Sequence, residues 1–97
     1  MERDQILSTL RRHSADLKGL GVSRLYLFGS VAKNEARPDS DVDLFFDFDD
    51  PHFSLVELVA LNDRIAELLH ARADVMSRGS IHPRLRPSVE SAALQVF

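Results

Sequence analysis

The chain contains no cysteine and no tryptophan, and only four glycines and four prolines among its 97 residues. Without cysteine it can form neither a disulfide nor a thiolate zinc site. It also lacks an excess of positive charge. Twelve Lys and Arg stand against fifteen Asp and Glu, for a formal net charge of -3. Sequence-independent binding of nucleic acid needs a basic face, so no direct nucleic-acid binding is expected. No apolar run approaches the roughly 20 residues that span a bilayer. The opening Met1-Glu2-Arg3-Asp4-Gln5 lacks the basic-then-apolar order of a signal peptide. A cytoplasmic protein without a membrane partner is expected. There is no internal repeat, low-complexity tract or linker, so residues 1–97 read as one domain.

What is present is an ordered alternation of helical and strand patterns. Ile6, Leu10 and Leu17 recur at helical spacing, which predicts a helix over 2–18. Gly19 and Gly21 supply a left-handed end for it. Arg24 to Phe28 reads as a short apolar strand. Gly29-Ser30 breaks that strand, and residues 31–34 read as a short helical turn. Asp41 to Phe48 is the clearest strand: Val42, Leu44, Phe46 and Phe48 fall on one face, Asp41, Asp43, Phe45 and Asp47 on the other. That alternation predicts a strand packed on one side. Ser54 and Glu57 form a capping box, with Phe53 and Leu58 placed as a hydrophobic staple. The helix they open, about 54–70, is expected to bury Leu55, Leu58, Val59, Ile65 and Leu69. Ala73 to Ser77 reads as a third strand, and Pro83 and Pro87 bracket the start of a last helix. The order implies an α/β sheet with helices packed on it.

Three features carry chemistry. Gly-Ser directly after a strand is a common turn. It is also a place where backbone N–H groups and a hydroxyl can meet an anion, because glycine allows close approach. Asp41 and Asp43 lie two residues apart on one strand, with Cα atoms roughly 6–7 Å apart. Two ionised carboxylates that close repel each other, and a divalent cation with a taste for oxygen, such as Mg²⁺, relieves the conflict. The plain alternative is a solvated acidic edge. A calcium loop is excluded, because its obligatory glycine position falls on Leu44. Asp74 begins the third strand. Strand ends tolerate an acid, but metal sites want a third carboxylate and an attacking hydroxyl wants a base. Strand-borne ligands from separated segments can share a metal only if their strands adjoin. The strands of Phe28, Asp43 and Asp74 are therefore expected to be neighbours, with the three carboxylates converging. Lys33 and Arg78 are cations by type, though solvated surface is the simpler reading of each. The four histidines show no metal-ligand spacing and receive no role.

The segment Leu27-Phe28-Gly29-Ser30-Val31-Ala32, followed by Asp39-Ser40-Asp41-Val42-Asp43-Leu44, resembles the polymerase-β-like nucleotidyltransferase superfamily. It looks most like the minimal nucleotidyltransferases (MNT proteins) of prokaryotes. The resemblance extends over nearly the whole chain, with Ala73-Asp74-Val75-Met76 matching the strand of the third aspartate. It implies a small mixed β-sheet flanked by helices. It implies that Gly29 and Ser30, with Ser40 and Lys33 beside them, hold the triphosphate of ATP. It implies that Asp41 and Asp43 bind one or two Mg²⁺ ions, and that Asp74 is the third ligand and the base. Many such proteins are antitoxins paired with a HEPN-domain ribonuclease toxin, and some transfer AMP from ATP to a toxin tyrosine. After Ala32 members often carry Arg-Gly, where this chain has Lys33-Asn34. Lysine keeps the charge without the bidentate fork, and asparagine tolerates a left-handed turn nearly as glycine does. Two functions stay open on the sequence: a Mg²⁺-dependent transferase acting on a partner HEPN toxin, and a non-catalytic antitoxin that neutralises that toxin by contact.

Overall fold

The computed structural model describes residues 2–97 and folds them around a four-stranded sheet. The strands are β1 (Val22–Phe28), β2 (Val42–Phe48), β3 (Ala73–Ser77) and the two-residue β4 (Leu94–Gln95), in the order β3-β2-β1-β4. β2 runs antiparallel to β1 and parallel to β3, and β4 is antiparallel to β1. The sheet is therefore mixed, as expected. A parallel pair needs a long crossover, and the helix α4 (Leu55–Leu69) supplies it between β2 and β3.

The first helical stretch is interrupted. α1 (Arg3–Arg12) ends at His13, and α2 (Ser14–Gly19) restarts there. Gly21 then adopts φ 107°, a conformation only glycine takes without strain. The short α3 (Gly29–Ala32) follows β1 without a linker, and Arg3 of α1 reaches across to the Ala32 carbonyl. α5 (Arg86–Ala92) carries Pro87 in its first turn, where its missing N–H does no harm.

One face of the sheet carries Leu25 and Leu27 opposite Phe46 and Leu44, all 0–1% exposed. Ile6, Leu10 and Leu17 from α1 and α2, and Leu61, Ile65 and Leu69 from α4, close this core. The edge strand β3 is shielded where Asn62 of α4 accepts the Val75 N–H at 3.0 Å.

Three burial expectations are corrected. Leu55 and Val59 are 71% and 50% exposed rather than buried. Helical residues turn about 100° each, so Val59, two before Leu61, points away from the side that Leu61, Ile65 and Leu69 bury, and Leu55 lies at the edge of that side in the first turn of α4. Leu58, one turn further in, packs against the core. Phe48 shares its face with Phe46 but lies at the strand end, 41% exposed and stacked on Phe53 at 4.8 Å. Phe45 is on the acidic face and was expected outside, yet it is 1% exposed. Tyr26 stacks on it at 4.7 Å, Phe28 leans on it at 5.7 Å, and the Arg78 guanidinium sits 5.0 Å from its ring. β2 is thus packed on both sides at its centre and open toward its two ends.

Candidate active site

The second face of the sheet brings the chemistry-bearing residues together by register. β1 and β2 place Phe28 opposite Asp43, and β2 and β3 place Asp43 opposite Asp74. Paired residues on neighbouring strands project to the same side, so Asp43 and Asp74 share a face at the point where β1 runs into α3. Asp41 stands just before β2. The Asp43 carboxyl is pushed above its ordinary value by burial, then by the charges of Asp74 and Asp41. A half-buried carboxylate with two more in its field and no cation of its own suits a divalent metal.

Asp41 is already partnered. Arg72, in the turn between α4 and β3, sets its Nε 3.1 Å from Asp41 Oδ1 and donates from Nη2 to the Asp39 carbonyl at 3.2 Å. The structure brings Asp43 and Asp74 together and turns Asp41 toward a guanidinium. Among the described residues, no three His, Cys, Asp or Glu side chains already form a metal-holding cluster. Arg72 is the counter-cation of Asp41 Oδ1, and the second carboxylate oxygen can still serve an ion.

Gly29 sits at φ 77°, and a Cβ built there would overlap the Asp43 carboxylate, with Asp43 Cβ and Cγ at 3.2 Å. The turn is therefore pressed onto the acidic strand so closely that any side chain would collide. The first N–H groups of α3 have no intrahelical acceptor, and they open beside that carboxylate. Ser30 is half-buried and follows directly. Asn34 takes φ 60°, the left-handed turn its side chain permits. Ser40 shapes the loop: its Oγ accepts the Arg37 N–H at 2.9 Å, and its own N–H returns to the Arg37 carbonyl. Lys33 is exposed and lines a 290 Å³ cavity with Phe28, Gly29, Ser88, Val89 and Ala92. A larger depression of 440 Å³ lies along α1, but that helix alone forms its walls, so it lacks the converging elements of a ligand site.

The residue that sequence reasoning missed is Arg78. Far from being solvated surface, its guanidinium donates to both Asp47 oxygens at 2.8 and 2.9 Å, and to Glu90 at 2.6 Å. It also lies 4.9 Å from the Tyr26 ring centre. The Asp47 hydrogen bonds, ahead of all else, hold it protonated beyond any accessible pH. It ties α5 to the sheet and covers Phe45. Asp47 was the available signal: its place in the alternation put an acid on the same face as Asp43, with no metal role assigned. Arg78→Met should lower stability by about 2 kcal/mol, because the half-buried Asp47 loses its donor. Thermal melts check this, and an unchanged Tm would show the cluster to be passive.

Residues 6–95 match the family model described as a nucleotidyltransferase domain. The chain belongs to that family. It is 33% identical over 94 residues, 95% of each chain, to a Methanocaldococcus jannaschii protein named as a candidate protein adenylyltransferase. It is 32% identical over 87 residues to the protein adenylyltransferase MntA of Thermococcus cleftensis, covering 89% of this chain and 87% of that one. A solved structure described as a minimal nucleotidyltransferase superposes with a TM-score of 0.85 at 32% identity, covering 97% of this chain and 95% of the other. The fold recurs, at a TM-score of 0.67 and 18% identity, in a complex of a tri-AMPylated Shewanella oneidensis HEPN toxin with its MNT antitoxin. There 94% of this chain and 71% of that one are covered. The nucleotidyltransferase fold and family are thus those that the Gly-Ser and Asp-X-Asp segments implied. No helix of the described residues is long and apolar enough to cross a membrane.

Proposed function

We propose that this nucleotidyltransferase moves AMP from ATP to a tyrosine hydroxyl of a partner HEPN toxin and thereby acts as an antitoxin. The observation that carries the reading is the contact of Gly29 with Asp43 across from Asp74. A triphosphate at the Gly29-Ser30 turn has its α-phosphorus beside the acidic cluster.

Asp41, Asp43 and Asp74 would hold Mg²⁺, which neutralises charge on the triphosphate and on the leaving group. The protein's own groups do the rest. The Gly29-Ser30 turn orients the chain of phosphates by backbone N–H groups, and Lys33 adds positive charge at the rim. Asp74 takes the proton of the acceptor hydroxyl. The acceptor oxygen forms a bond to the α-phosphorus as the α–β bridging bond breaks, and pyrophosphate leaves with that electron pair. A tyrosine hydroxyl has a pKa near 10, within reach of a carboxylate base once it is held against the site.

A partner is supported by surface chemistry. Leu55, Val56 and Val59 are exposed at the start of α4, and Phe48 and Phe53 flank Leu55 in an apolar hollow of 260 Å³. Exposed apolar patches of this kind mark interaction surfaces. The relatives named as protein adenylyltransferases, and the fold's recurrence in a toxin complex, support a protein acceptor. The test is mass spectrometry of a HEPN partner after incubation with this protein, ATP and Mg²⁺. A gain of one AMP per transfer, on tyrosine and absent with the Asp41→Asn/Asp43→Asn variant, is expected. Full neutralisation of the toxin by that variant, with no modified tyrosine, would establish inhibition by contact instead.

A further inference from the structure

We propose that Arg72 is a positioning residue for the metal site: it holds the entry to β2 so that Asp41 presents its free oxygen beside Asp43. The inference rests on the functional reading above, which gives Asp41 to Mg²⁺ without saying what holds it.

Asp43 and Asp74 are set by strand register. Asp41 is not, because it stands just outside β2 with its side chain 48% exposed. A carboxylate so placed is free to turn into water, whereas a metal ligand has to be held.

Arg72 supplies the hold at three points. Its carbonyl accepts the Val42 N–H at 3.0 Å. Its Nη2 donates to the Asp39 carbonyl at 3.2 Å, and its Nε lies 3.1 Å from Asp41 Oδ1. One residue thus ties positions 39, 41 and 42. Ser40 between them is fixed separately, through its two hydrogen bonds with Arg37. The end of α4 delivers the guanidinium: His70 takes a left-handed φ of 51° and turns the chain toward β3.

Stability does not account for this arrangement. The Arg72 side chain is 78% exposed, and an exposed ion pair contributes little to folding. What a guanidinium does well is geometry. Two N–H groups on one rigid plane meet two acceptors, which the point charge of a lysine does not reproduce. The contact engages one Asp41 oxygen and leaves the second to accept. The charge of Arg72 works in the opposite sense, since a cation beside a metal site repels the metal. Positioning and charge therefore have opposite effects on metal affinity.

The test titrates Mn²⁺, which takes the same oxygen ligands as Mg²⁺, into the whole chain and follows the free ion by electron paramagnetic resonance. Arg72→Lys keeps the charge and loses the fork. It should weaken Mn²⁺ by about 3–10-fold, the worth of one hydrogen bond. Arg72→Ala also sheds the repulsive charge, so it should bind Mn²⁺ no more weakly than Arg72→Lys. Without metal, the Tm of both variants should stay within about 2 °C of the wild type, as for the loss of an exposed pair. Arg72→Lys matching the wild type would overturn the inference and leave the metal site standing, as would Arg72→Ala binding tighter than the wild type. A large fall in the metal-free Tm alongside the lost affinity would make Arg72 a structural prop and overturn it too. Asp43→Asn is the control and should abolish Mn²⁺ binding. A wild type that binds no Mn²⁺, or an Asp43→Asn variant that binds it equally well, overturns the metal site of the functional reading and the inference with it.

Discussion

Asp43→Asn should make the protein more stable and less active at once. The Asp43 carboxyl is pushed up in the folded state by burial and by Asp74 and Asp41. An acid whose folded value is raised binds its proton more tightly when folded. Its ionisation therefore opposes folding in full above the folded value, and the opposition disappears below the ordinary value near 3.8. Asparagine removes that charge. At neutral pH the variant should gain stability, by no more than about 1 kcal/mol after allowance for solvent screening, read as a higher Tm. The gain should shrink as pH falls through the folded value, and added Mg²⁺ should reverse the order by stabilising only the wild type. Transfer should fall by about 10²–10³-fold, the usual consequence of losing a group that fixes transition-state charge. Melts at neutral pH with Asp43→Asn equal to or below the wild type would refute the conflict read at this carboxylate.

Gly29→Ala should be the most damaging single methyl group that can be added near the site. Two penalties combine. The left-handed φ of 77° disfavours any Cβ by about 1–2 kcal/mol, and the new carbon overlaps the Asp43 carboxylate. A loss of about 2 kcal/mol or more is expected, roughly 8–16 °C in Tm, together with loss of nucleotide binding. A double-mutant cycle separates the two penalties. In an Asp43→Ala background the overlap with the carboxylate is gone and only the 3.2 Å approach to the residue-43 Cβ remains, so Gly29→Ala should cost little beyond its backbone strain. Additive losses in the two backgrounds would show that Asp43 does not press on the turn.

The residues explain what could be read in advance. β2 was legible because each of Val42, Leu44 and Phe46 has a partner on β1 or β3 that sees only one face. α4 was legible in extent because Ser54 and Glu57 do close a capping box around its first turn. Its buried stripe was misplaced at the start because Leu55 and Val59 lie off the line of Leu61, Ile65 and Leu69, and apolar type alone does not say which side of the helix meets the sheet. The break at His13 leaves no mark either, since Ile6, Leu10 and Leu17 keep helical phase across it. β4 is two residues of pairing with no alternation to detect. At the site, Gly29, Asp43 and Asp74 announced themselves by type and spacing. The engagement of Asp41 with Arg72, and of Asp47 with Arg78, joins residues 31 positions apart and depends on tertiary placement alone.

The brevity of β4 has a consequence for how the molecule fails. β1 is the apolar run Val-Ser-Arg-Leu-Tyr-Leu-Phe, and its outer edge is covered only by Leu94, Gln95 and the hydrogen bonds between Leu25 and residues 96–97. Arg11 of α1 fastens that cover by donating to the Val96 and Gln95 carbonyls at 2.9 and 3.0 Å. These contacts join the two ends of the chain, so the entropy of closing a long loop delays them until the rest is in place. Until then, and whenever the segment opens locally, β1 is a bare strand edge able to template pairing with a second molecule. Arg11 therefore guards against self-association during folding, a duty unrelated to nucleotide chemistry.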